Sequence, residues 1–352
     1  MQLLRELCEA PGVAGREERV REIVKRHLER HVDQITVDPM GNIIALKKAR
    51  DTRNITPQKV MLACHMDEIG FYVKHIDEKG FLRVVNVGGF DTRNLFARRV
   101  LIQGKRDVFG AMNPSGRPIH MAKEEEKKKV YEVGEFFIDV FLPPEELKQV
   151  IRIGDPVTLV QPFMEHGEVA SCKAMDNRIS LWVGINTIKS LGEAGVHDVY
   201  MVGAVQEEVG CRGAGPSCFG LEPDVGIAID VTLACDIPGL EDHEAVTKLG
   251  GGVAIKIMDS MSISHRGLVD SFIQTAEKNN IPHQLEILPR GGTDAGPMQL
   301  AGRGRPVITV SVPCRYVHTV TESVNKKDLQ GAVDLLLAWL KSPRDQGVGS
   351  GQ

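Results

Sequence analysis

Two adjacent carboxylates at the end of an apolar run are the first chemical signal in this chain: Val202-Gly203-Ala204-Val205-Gln206-Glu207-Glu208-Val209-Gly210. A run of strand character stops at two acids, and the glycine that follows lets the backbone turn. In open α/β sheets, ligands bind just beyond the carboxyl ends of such strands. Two glutamates there are costly to bury unless something cationic receives them. The pattern recurs. Lys59-Val60-Met61-Leu62-Ala63-Cys64 ends in His65-Met66-Asp67-Glu68, and Val225-Gly226-Ile227-Ala228-Ile229 ends in Asp230. Pro306-Val307-Ile308-Thr309-Val310 leads on to His318, and a helix beginning near Asp176 delivers a further carboxylate. Imidazole and carboxylate without thiolate form the donor set of a catalytic divalent-metal site, whereas a structural zinc site more often recruits cysteine.

Each signal is weak by itself. A histidine at a strand end is commonly a satisfied polar group, an acidic pair is commonly a solvated face, and Asp-Asn-Arg at a helix start is commonly an N-cap. Their coincidence at one edge of one expected sheet is what carries weight. So many charges buried without a metal would cost several kcal/mol per ion.

The elements that must position these groups alternate in type. Residues 2–9 and 15–31 read as amphipathic helices, the second with Val20, Ile23, Val24 and Leu28 on one stripe. Residues 34–37 and 42–46 read as a strand pair around Asp38-Pro39-Met40-Gly41. Between about 71 and 160 the texture changes to short alternating segments separated by Gly, Pro and Asp turns, the pattern of a small β-barrel or sandwich. The run Lys123 to Lys129 reads as a mobile solvated loop. From Gly167 the α/β rhythm returns: a helix from Asp176, strands at 199–205 and 225–229, a helix over 268–278, strands at 284–288 and 306–310, and a helix over 326–341. The expected fold is α/β, a mixed, mostly parallel sheet sandwiched by helices with an inserted β-barrel-like domain. Residues 1–70 and 161–342 would form the main domain, 71–160 the insert and 343–352 a disordered tail.

The totals fit an ordinary globular chain of 352 residues with 42% hydrophobic and 26% charged residues. A net charge of −4 argues against nucleic-acid binding. No apolar run approaches the ~20 residues of a membrane span, and the N-terminus lacks the apolar core of a signal peptide. Seven cysteines without regular spacing read as reduced thiols, hence a cytoplasmic protein.

The ordered set His65-Met66-Asp67-Glu68-Ile69-Gly70, Lys173-Ala174-Met175-Asp176-Asn177-Arg178, Gln206-Glu207-Glu208-Val209-Gly210, Asp230 and His318-Thr319 resembles the M42 family of metallo-aminopeptidases, within the wider group of di-zinc exopeptidases. The resemblance runs from near residue 1 to about 341. It implies that Asp176 bridges two divalent ions (Zn or Co, with Mn as a further option), that His65 and Asp230 complete one site and that Glu208 and His318 complete the other. It also implies that Glu207 is the general base and that Asp67 orients the His65 ring. In such a pair the pKa of an attacking water falls toward about 7; Glu207 would take its proton and return it to the leaving amine. Arg290-Gly291-Gly292-Thr293-Asp294-Ala295-Gly296 resembles a family loop beside the substrate, which makes Asp294 a substrate-side candidate. His120 matches a family histidine that is either structural or approaches a neighbouring subunit's site. The implied partners are peptides with a free N-terminus and other copies of the chain, paired through the inserted domain and often assembled into dodecamers.

Rival readings share parts of this set. A di-zinc carboxypeptidase or N-deacylase uses the same metal logic but does not need a free substrate amine. A glycosidase needs two carboxyls facing each other ~5–9.5 Å apart across a sugar, which neighbours in one strand supply poorly. A metal-stabilised assembly protein without catalysis has no need of Glu207 beside a complete ligand set.

Overall fold

The helical stripes at the N-terminus and the apolar runs after it assemble as expected in the computed structural model, which describes residues 1–50, 52 and 56–342. The tail over 343–352 lies outside the described residues. Helices α1 (Gln2–Glu9) and α2 (Glu18–Leu28) are followed by β1 (Gln34–Val37), β2 (Ile43–Lys47) and β3 (Lys59–His65). Then come β4 (Gly70–Ile76), β5 (Leu82–Val87), β6 (Arg98–Gln103), β7 (Asp107–Pro114), α3 (Glu124–Lys127), β8 (Phe136–Asp139), α4 (Pro144–Val150) and β9 (Pro156–Leu159). These six strands close into a barrel in the order β4-β5-β8-β7-β6-β9. The chain continues with β10 (Met164–His166), β11 (Val169–Cys172), α5 (Met175–Leu191), β12 (Asp198–Ala204), α6 (Ala214–Leu221) and β13 (Val225–Leu233). It ends with β14 (Val253–Met258), α7 (Arg266–Lys278), β15 (His283–Ile287), α8 (Ala295–Leu300), β16 (Val307–Arg315), β17 (Glu322–Asn325) and α9 (Lys326–Leu340).

Outside the barrel lies one eleven-stranded mixed sheet, β1-β2-β12-β3-β13-β16-β17-β11-β10, with β14 on β16 and β15 on β14. Its centre, β12-β3-β13-β16, is parallel and the flanks β1-β2-β12 and β16-β17-β11-β10 are antiparallel, while β14 joins β16 antiparallel and carries β15 parallel to itself. The central strands are buried on both faces, which is why they read as unbroken apolar runs. Along β3, Val60, Leu62 and Cys64 face a core shared with α1, α2, α5 and α9, while Met61 and Ala63 face α6 and α8. Val60, Met61 and Leu62 each contribute roughly 1.5–3 kcal/mol on burial. Helix α5 crosses the first face and is buried on nearly every side, packed on α1, α9, β3 and β13. The sheet hands over to the barrel at Gly70, where a Cβ would lie 2.4 Å from Val13 and 2.8 Å from the Val157 carbonyl; only glycine fits.

Three local expectations are corrected. The strand expected to stop at Asp230 runs on to Leu233, because β16 pairs with it up to Leu233↔Cys314, whereas its pairing with β3 ends at Ala228↔Ala63. Asp230 is therefore held rigidly in register at the point where the sheet opens. The stretch between the strands expected at 199–205 and 225–229, for which the sequence predicts no helix, contains α6. The charge run at 123–129 contains a single helical turn, α3, in which the Glu126 carboxylate accepts from the Lys123 amide at 2.7 Å. Among the described residues, no helix is long and apolar enough to cross a membrane.

Candidate active site

His65 is the last residue of β3 and pairs with Ala204 at the end of β12, so the segment carrying Glu207 and Glu208 emerges beside it. Gly210, at φ +116°, turns that segment back into α6 as its type requires. Asp176 does not cap α5. It and Asn177 have non-helical backbone angles inside the helix start, which frees the carboxylate to face the sheet edge. His318, at φ +62°, projects from the turn between β16 and β17. All of these side chains line one cavity of about 480 Å³.

The two oxygens of Asp176 serve two different groups. Oδ1 lies 3.3 Å from His65 Nε2, which is in turn 3.9 Å from Asp230 Oδ1 and 3.7 Å from Glu207 Oε2. Oδ2 lies 3.4 Å from His318 Nε2, itself 3.2 Å from Glu208 Oε2. Two trios result, His65–Asp176–Asp230 and Asp176–Glu208–His318, each with donor atoms within 4.8 Å of one another.

The backbone carrying these groups is clamped by other carboxylates. Asp67, fully buried, accepts from the amides of Glu207 and Glu208 at 2.9 and 3.0 Å. It stands 3.5 Å from His65 Nδ1, too long for a good hydrogen bond, and that nitrogen has no hydrogen-bond partner among the described residues; the contact is electrostatic. Glu17, at the start of α2, accepts from the Gln206 amide at 3.1 Å and from Gly15 at 2.7 Å. Glu322, the first residue of β17, accepts from the amides of Asp176 and His318 at 3.0 and 2.7 Å. The Cys211 thiol donates to Glu207 Oε1 at 3.1 Å, leaving Oε2 turned toward His65.

The electrostatics are those of too many acids in one place. Burial pushes Glu207 up to about 8; His65 opposes this, and Asp294, Glu208 and Asp67 add to it. Asp230 and Glu208 are raised by burial and by neighbouring carboxylates, against the pull of the imidazoles. Burial also acts on Asp176, but hydrogen bonds with His318 and His65 outweigh it and hold its carboxyl below the usual range. His318 loses water too, yet Asp176 and Glu208 carry it up to about 12. Glu208 Oε1 is buried without a hydrogen-bond partner among the described residues. Imidazole and carboxylate donors in two trios sharing one carboxylate, with an orphaned oxygen inside, fit divalent cations.

The remaining predicted residues fall differently. Asp294 is 2% exposed, sits directly after the cavity-lining Thr293, and has neither carboxylate oxygen hydrogen-bonded among the described residues. Burial pushes it up to about 7, with His65 opposing and Asp230 and Asp67 adding. His120 is exposed on the loop after β7 and does not line this cavity. Sequence reasoning missed Glu17, Cys211 and Glu322. Glu322 carried a usable signal: Val320, Glu322 and Val324 share one phase of an alternating strand and all are buried. Glu17 carried none, because an acid at a helix start is ordinary.

The M42 glutamyl aminopeptidase family matches residues 41–335. A putative aminopeptidase of Acetivibrio thermocellus is 38% identical over 336 residues, covering 95% of this chain and 96% of its own. Among solved structures, aminopeptidase APDkam598 of the archaeon Desulfurococcus kamchatkensis superposes with a TM-score of 0.90 at 36% identity, covering 97% of this chain and 94% of that one. The TET1 peptidase of Pyrococcus horikoshii, which can assemble into a tetrahedron or a large octahedral shell, gives a TM-score of 0.85 at 30% identity over 96% and 98%.

Proposed function

The chain belongs to the M42 family of aminopeptidases and is a peptide-bond hydrolase, and from that premise we propose that it removes N-terminal residues from peptides with two divalent cations and Glu207 as general base. The observation that carries this reading is the division of Asp176 between two trios, one oxygen to each. His65 and Asp230 would hold one ion, Glu208 and His318 the other, with Asp176 between them. When bound, such ions supply Lewis acidity toward the scissile carbonyl and acidify the attacking water.

The chain's own residues do the rest. Glu207, with Oε1 held by Cys211, presents Oε2 to the cavity, where it takes the proton of the attacking water and passes it to the leaving amine. Burial favours the protonated form of this carboxyl, which helps it hold the proton between the two halves of that transfer. Asp67 and Glu322 keep the ligand-bearing backbone from following the charge changes. Zn, Co and Mn all suit this donor set. The assembly of the Pyrococcus horikoshii neighbour supports a homo-oligomer, and the pairing we propose is through the barrel. The proposed compartment is the cytoplasm, in keeping with seven free cysteines, none of them in a disulfide.

Dialysis against a chelator is expected to abolish hydrolysis of an aminoacyl p-nitroanilide, and Zn or Co to restore it. Full activity in verified metal-free protein would refute the reading. Blocking the substrate's amine separates it from a carboxypeptidase or N-deacylase, which would still cleave.

A further inference from the structure

Beyond the acid–imidazole cluster the same cavity is walled by carbon: Val231, Leu233, Met261 and Leu288. Two of these are open to water, Leu233 at 42% and Met261 at 48% exposure. Met261 is also held from behind. The Gly292 backbone runs so close that a Cβ there would stand 2.2 Å from the methionine sulfur. Apolar surface fixed open to water beside a peptide-cleaving centre is surface shaped to receive a side chain.

Charge in that wall decides which kind. Lys256 reaches the cavity lining but is fully buried, its ammonium facing Glu286 at 3.1 Å and Asp259 at 3.6 Å; two carboxylates offset its charge, although Nζ makes no hydrogen bond among the described residues. Glu286 is itself fully buried and takes a hydrogen bond from Thr232 at 2.6 Å. A substrate lysine would have to displace that arrangement. Arg290 lines the cavity from an exposed position with no acidic partner among the described residues, and a guanidinium in open water attracts a carboxylate only weakly. A substrate glutamate would meanwhile bring its carboxylate against Leu233 and Met261 and lose hydration there.

We infer that the pocket for the departing residue selects an uncharged apolar side chain such as leucine or methionine, not the acidic one that the family's description names. This rests on the di-metal aminopeptidase reading above. On the metal-loaded full chain, kcat/KM for leucyl and methionyl p-nitroanilides should exceed that for the glutamyl and lysyl compounds by at least ~10-fold. Free L-leucine should bind more tightly than L-glutamate by calorimetry. Met261→Ala and Leu233→Ala, both at partly exposed positions, should each shrink the leucyl-to-alanyl ratio several-fold. Glutamyl or lysyl turnover equal to leucyl turnover overturns the inference and leaves the peptidase reading standing; a glutamyl preference lost in Arg290→Gln would assign the pocket to Arg290 instead. No turnover of any of these substrates overturns the peptidase reading, and this inference with it.

Discussion

Asp67 and Glu68 are neighbours in sequence and anchor two buried charge clusters of opposite design. Glu68 meets Lys173 at 2.7 Å and Arg178 at 3.4 Å, and also accepts from the Gly12 amide at 2.9 Å and the Thr158 hydroxyl at 3.3 Å. Its charge is matched inside the protein, and the bonds tie the segment after α1, the start of α5 and the barrel strand β9 together. Asp67 belongs to a cluster in which Asp176, Glu207, Glu208 and Asp230 face two imidazoles and, among the described residues, no Lys or Arg within ion-pair distance. Burial alone does not distinguish the two. Balance does: a buried charge with a built-in partner holds the scaffold, and a buried excess of one sign marks where something from outside must bind.

The largest test is on the unbalanced side. Glu207→Gln should keep the metals and lower kcat by about 10²–10⁴-fold, the usual worth of a positioned general base. Metal analysis beside steady-state rates checks both halves, and metal loss without a selective fall in kcat would reassign Glu207 as a ligand. Next, the two clusters should respond to charge removal with opposite signs. Glu68→Ala leaves Lys173 and Arg178 buried without their acid and should cost roughly 3–5 kcal/mol in denaturant unfolding. Asp230→Asn removes one of the surplus carboxylates, which burial raises well above its ordinary value, and should stabilise metal-free protein by about 1–2 kcal/mol. The same change should weaken the stabilisation that added metal gives. Two destabilised variants would erase the distinction.

The unbalanced cluster was legible in the sequence because each member ends an apolar run or opens a helix, and strand ends converge on one rim of an α/β sheet. His65, Asp176, Glu207, Glu208, Asp230 and His318 meet there as read. The balanced cluster was not legible. Lys173 and Arg178 look like ordinary charged residues flanking a helix start, and nothing local says that Gly12 and Thr158 converge on Glu68 from 56 and 90 residues away. The parallel centre of the sheet followed from its apolar runs. The antiparallel β1–β2 pair followed from its turn; the flank β17-β11-β10 did not, because β10 and β17 are three- and four-residue strands with too little periodicity to register. The register that carries β13 past Asp230 is a property of its partner β16 and cannot be read from β13 alone.

A smaller effect lies at the edge of the unbalanced cluster. Burial pushes Glu17 up to about 7, with its own hydrogen bonds from Gly15 opposing. Because the folded value is raised, the folded chain still holds a proton that the unfolded chain has released between about pH 4.5 and 7. Stability therefore falls as pH rises through that window, by roughly 3 kcal/mol in total. Glu17→Gln cannot titrate and should flatten that slope while still accepting from Gln206. Glu17→Ala frees the Gln206 amide and should lower kcat about tenfold with metal content unchanged. An unaltered pH–stability curve in Glu17→Gln would show that the residue is not charged at a cost, and would place Glu17 with the balanced cluster.

The smallest effect concerns a matched pair that serves the unmatched site. Arg315, the last residue of β16, grips Asp236 with Nε–Oδ1 at 3.0 Å and a second contact to Oδ2 at 2.6 Å, three residues before His318. Burial raises Asp236, but the guanidinium outweighs it and holds the carboxyl below its ordinary range. With the folded value depressed, the pair's contribution is present above the unfolded value near 4 and disappears as pH falls through the folded one. Asp236→Asn should thus cost about 1 kcal/mol at pH 7 and almost nothing near pH 3. The pair anchors the strand end from which His318 projects, so the variant should also retain the Glu208–His318 ion less tightly than the His65–Asp230 ion in a chelator competition. Equal loss of both ions would mean that the turn is held by Glu322 alone, and that the balanced pair does not reach the site.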